Sequence, residues 1–182
     1  MSIIAEMCVR FQKFGISASV SQLTCEDSRI PHDSLSDPLG KLDIDGCPIR
    51  SVNVFQFRRT YEYDWDDFTV MYCVPDSRII PGFRNVQLYS VRVKSFPFVG
   101  RVKAVEWQEN DIELHLRKHL SQASFINATI TATGKDFRVI AHPNKECWTI
   151  QTDYSVIDVR NGAKLAPYKL ICDCCQAVAT LA

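Results

Sequence analysis

The chain has 182 residues, 46% hydrophobic and 23% charged, with 21 basic and 21 acidic side chains that cancel to a net charge of zero. That length suits a single domain, residues 1–182, that buries about two-thirds of its unfolded surface without staples. Neutrality argues against a dedicated nucleic-acid binder, and seven Gly and eight Pro exclude a low-complexity or collagen-like chain.

Ser2 to Phe14 reads as an amphipathic helix. Ile4, Met7, Cys8, Phe11 and Phe14 recur at helical spacing, and Glu6, Arg10 and Lys13 share the other side. Ser2 suits the cap and Gly15 the left-handed position after the last turn. Glu6 and Arg10 also interrupt the first apolar run, so no signal peptide is expected. No stretch approaches the roughly 18 apolar residues of a membrane span. The expected compartment is the cytoplasm, where the eight cysteines stay reduced.

Ile16, Ala18 and Val20 alternate with Ser17, Ser19 and Ser21, the pattern of a strand. Glu26 to Gly40, rich in Asp, Ser and Pro, is expected to be a long loop. Asp45-Gly46 between apolar alternations signals a hairpin, and Pro48 suggests an edge position for the returning strand. Strand patterns then cover Ser51 to Arg59, Phe68 to Val74, Val86 to Lys94 and Arg101 to Gln108, in the order of successive antiparallel hairpins.

A second helix is expected over Glu109 to Gln122. Ile126, Ala128, Ile130 and Ala132 alternate with polar residues as another strand. Phe137 to His142 and Cys147 to Gln151 pair across a turn at Pro143, and a last helix runs from near Pro167 to Leu181. The expected fold class is α+β: an antiparallel sheet of successive hairpins with about three helices packed on one face. A second organisation divides the chain near Ser124.

Four constellations bear on chemistry. Cys172 and Cys175 have the C-x-x-C spacing of redox and zinc sites, but they fall in the middle of the last helix, where a core role is preferred. Asp111, His115 and His119 form one polar stripe of the second helix, a partial ligand set for zinc or, more simply, a capped helix with boundary histidines. Tyr61, Tyr63 and Trp65 alternate with Glu62, Asp64 and Asp66 as a recognition edge or as a hairpin end. Ile79, Phe83 and Arg84 surround the Pro81-Gly82 turn, which either presents an apolar tip to a partner or folds back to plug the sheet. The phosphate-cradling, dinucleotide and nucleophile-elbow motifs are absent from the sequence.

The expected function is a soluble, non-catalytic protein-interaction or ligand-binding module that uses no cofactor. Its contact residues would be Tyr61, Tyr63, Trp65, Asp66, Ile79, Phe83 and Arg84. The alternative is a metal-dependent hydrolase or zinc-stabilised domain built on Asp111, His115, His119, Cys172 and Cys175. Self-association through a terminal helix or a strand edge is a third expectation.

Overall fold

A computed structural model describes residues 2–13, 15–23, 36–46, 49–57, 67–77, 79, 87–96, 100–109, 127, 130–131 and 136–155. Helix α1 (Ile3–Lys13) buries Ile4, Met7, Cys8 and Phe11, the stripe that the sequence spacing predicts. The Ser2 hydroxyl accepts a hydrogen bond from the Ala5 amide at 3.3 Å, which caps the first turn. The helix stops in a Schellman arrangement: Gly15 donates to the Gln12 carbonyl at 3.0 Å and Ile16 to the Phe11 carbonyl at 3.1 Å. Gly15 adopts φ 77°, which costs glycine nothing. Full burial of each large apolar side chain contributes about 1.5–3 kcal/mol.

The chain returns as β1 (Ser17–Ser21), followed by β2 (Ser36–Asp45), β3 (Ser51–Phe57), β4 (Asp67–Pro75), β5 (Gln87–Lys94), β6 (Val102–Glu109), β7 (Phe137–His142) and β8 (Cys147–Ser155). All neighbouring pairs are antiparallel, in the order β1-β2-β3-β4-β8-β7-β5-β6. The last two strands insert between β4 and β5, so one sheet draws strands from both sides of residue 124. Helix α1 packs over β1 and β2. Gln12 Nε2 ties it to β1 by donating to the Ala18 carbonyl at 2.9 Å. Gly40 sits at a bulge in β2, where a Cβ would come within 2.8 Å of Ile4 Cγ1, so its missing side chain lets helix and sheet approach.

Among the described residues, a predominantly antiparallel sheet of eight strands with one complete helix, α1, overturns the expected α+β fold with about three helices. The second and third helices of that expectation, 109–122 and 167–181, lie almost wholly outside the described residues. The alternation over 126–133 misleads as well. Asn127, Ile130 and Thr131 have helical backbone, and the Thr131 hydroxyl donates to the Asn127 carbonyl four residues back at 2.8 Å. Ile126 and Ile130 are spaced four apart, so the same residues satisfy a helical period. Ser36 to Gly40, the end of the expected long loop, belong to β2. Strand β3 lies between β2 and β4, away from the sheet edge that Pro48 suggested. Among the described residues, no helix is long and apolar enough to cross a membrane.

Candidate functional site: the polar face of the sheet

Side chains alternate between the two faces of a strand, and directly opposed residues in neighbouring strands share a face. The register therefore sorts the sheet into two surfaces. On one lie Ala18, Leu42, Val52, Val54, Val70, Tyr72, Val139, Trp148 and Ile150, which join the α1 side chains in a single apolar cluster. On the other lie Ser51 and Asn53 of β3, Met71 and Cys73 of β4, and Cys147, Thr149 and Gln151 of β8, with His142 of β7 opposite Cys147. All of these are buried. Among the described residues, Phe55, Met71 and Cys73 form the apolar cluster there.

Polar groups dominate the rest of this second face. His142 Nε2 lies 2.7 Å from Thr149 Oγ1, and Gln151 Nε2 donates to the same hydroxyl at 3.1 Å. The hydroxyl proton finds an acceptor when Thr149 donates to Nε2, which places the imidazole proton on Nδ1. Burial lowers the His142 pKa to about 4, so the ring is neutral at physiological pH. Cys147, opposite it, is pushed the other way. Burial raises its thiol to about 11, against a smaller opposing pull from the charges of Lys145 and Arg50. At pH 7 such a group is thiolate in only about one molecule in ten thousand, so it is a poor nucleophile.

Asn53 differs from its neighbours. It has 0% exposure, and among the described residues neither its Nδ2 nor its Oδ1 meets a hydrogen-bond partner. Through Met71 it lies in one cross-strand row with Gln151, and Lys41 of β2 flanks it on the other side. Two strand spacings separate Asn53 from Gln151, about 10 Å. Arg138 of β7, exposed, follows opposite Gln151, so the row reads cation, amide, thioether, amide, cation. Lys41 Nζ is held 3.4 Å from Asp43 Oδ1, which balances its charge at the margin.

Among the contact residues expected from the sequence, Ile79 is described, and its side chain is fully buried in the main apolar cluster. Tyr61, Tyr63, Trp65, Asp66, Phe83 and Arg84 lie outside the described residues, as do the expected metal ligands Asp111, His115, His119, Cys172 and Cys175. Among the described residues no three His, Cys, Asp or Glu side chains group to hold a metal ion. Sequence reading passed over Asn53, His142, Thr149 and Gln151 because alternating polar residues in a strand ordinarily face water. The available signal was indirect: in Cys147-Trp148-Thr149-Ile150 residues of low charge and high strand preference occupy both parities of β8, as in a strand covered on both sides.

Comparison with protein-family models, with curated proteins and with solved structures found no match.

Proposed function

We propose that this protein is a non-catalytic ligand-binding module that uses the polar face of its sheet. Asn53 carries the reading. An unmet buried donor or acceptor costs about 1–3 kcal/mol, and an apolar side chain of the same shape would avoid that cost. Retaining the amide at a fully buried position makes sense where its hydrogen bonds are made to a ligand. Thr149 and Gln151 add polar groups to the same face, while Phe55 and Met71 add apolar contact.

The buried groups of the face favour an uncharged ligand, with the exposed Arg138 at the margin beyond Gln151. His142 is neutral, Cys147 is a protonated thiol, and the Lys41 charge is offset by Asp43. An amide or polyhydroxyl compound with an apolar side matches that surface. The absence of an activated nucleophile among these groups supports binding over catalysis.

The test is a titration of isotopically labelled protein with neutral amides and sugars, read at the Asn53 side-chain amide by NMR. Saturable shifts at Asn53 that are accompanied by shifts at the Gln151 side-chain amide, the latter abolished by Asn53→Leu with the fold intact, would support the proposal. No saturable shift from any of these compounds would contradict it.

A further inference from the structure

The hairpin between β5 and β6 carries a second surface, separate from the polar face. Its turn is closed by a hydrogen bond from the Ser95 amide to the Arg101 carbonyl at 3.0 Å. Gly100 has φ 153°, and a Cβ there would fall 2.5 Å from Ser95 Oγ and 3.0 Å from the Phe96 nitrogen. Only glycine lets the two legs approach this closely. Phe96 stands at that turn with 72% of its surface exposed, more than any other large hydrophobic side chain among the described residues. Lys94, Arg101 and Lys103 are exposed around it, and Lys103 is the extra residue of a bulge opposite Val93 and Lys94. Residues 94–105 contain these three cations and no acid, in a chain whose net charge is zero. None of the three makes an ion pair among the described residues.

We propose that this hairpin tip docks the protein on an anionic membrane surface. An exposed aromatic ring at the end of a turn loses contact with water when it enters the headgroup boundary, and adjacent cations then meet lipid phosphates and carboxylates. An acidic peptide would satisfy the cations but leave Phe96 in water. The bilayer interface satisfies both.

The experiment is co-sedimentation of the full chain with vesicles of phosphatidylcholine alone and of phosphatidylcholine mixed with phosphatidylserine. Binding should require phosphatidylserine and weaken with salt. Arg101→Glu with Lys103→Glu should reduce the partition coefficient by about fivefold or more per cation removed. Phe96→Ser should reduce it independently. Phe96→Trp should bind like the parent, with emission shifted to the blue on phosphatidylserine vesicles. All three substituted positions are exposed, so circular dichroism should show unchanged folds. Failure to bind phosphatidylserine vesicles at low salt would overturn the proposal, as would undiminished binding by the folded variants. Binding to soluble polyglutamate or RNA with no vesicle binding would overturn it too.

Discussion

Val52 and Val54 project from β3 into the apolar cluster beneath α1, while Ser51 and Asn53, the residues between them, project to the opposite surface. Both sets are buried. On the first surface every large side chain gains by leaving water, and one small polar group, the Thr152 hydroxyl beside Val70 and Phe137, is buried without a partner among the described residues. On the second, the Asn53 amide pays a desolvation cost that packing does not return. Equal burial thus has opposite energetic meaning on the two faces. The first holds the fold together, and the second retains a group that weakens it, which is the expected mark of a surface kept for recognition.

The largest contrast should come from the apolar side. Phe11→Ala removes a fully buried ring from the helix-sheet contact and should cost about 3–5 kcal/mol in urea denaturation. A loss under about 1 kcal/mol would show that α1 contributes little to stability.

Acid should act chiefly through the polar side. His142 has a folded pKa near 4 against an ordinary value of 6.5, so the unfolded chain takes up the proton first. The stability linked to this group is fully present above pH 6.5 and is lost as pH falls to about 4, by an amount on the order of 3 kcal/mol. His142→Gln, which retains a hydrogen-bonding side chain for Thr149, should remove that stretch of the pH profile. A profile identical to the parent would mean that His142 is not the group responsible.

Gly40→Ala should have a smaller effect. The new methyl meets Ile4 Cγ1 at 2.8 Å, and overpacking of this kind costs about 1–3 kcal/mol. Combining it with Ile4→Val should recover part of the loss, because the obstructing side chain becomes smaller. Full additivity of the two losses would show that they do not meet.

The strands were legible because period-two alternation is local. Ser17 to Ser21, Phe137 to His142 and both legs of the β5–β6 hairpin were each readable from a few residues, as was the turn at Gly46, which adopts φ 78°. The start of β2 was not, because Asp37-Pro38-Leu39-Gly40 carries loop residues whose irregularity is absorbed by the bulge. The β4–β8 pairing joins Phe68 to Tyr154, so no local pattern could announce it. That pairing also hides the candidate site. Thr149 and Gln151 look like solvent-facing strand residues until β8 is placed between β4 and β7. The histidine and cysteine patterns that drew attention instead, His115 with His119 and Cys172 with Cys175, rest on spacing alone.

Asn53→Leu compared with the parent by equilibrium urea denaturation tests the contrast between the faces most directly. If the amide is buried without partners and retained for binding, the nearly isosteric apolar side chain should stabilise the protein by about 1–3 kcal/mol. A destabilisation of similar size would mean that Asn53 is hydrogen-bonded in the folded chain, and that this face is built for stability like the other.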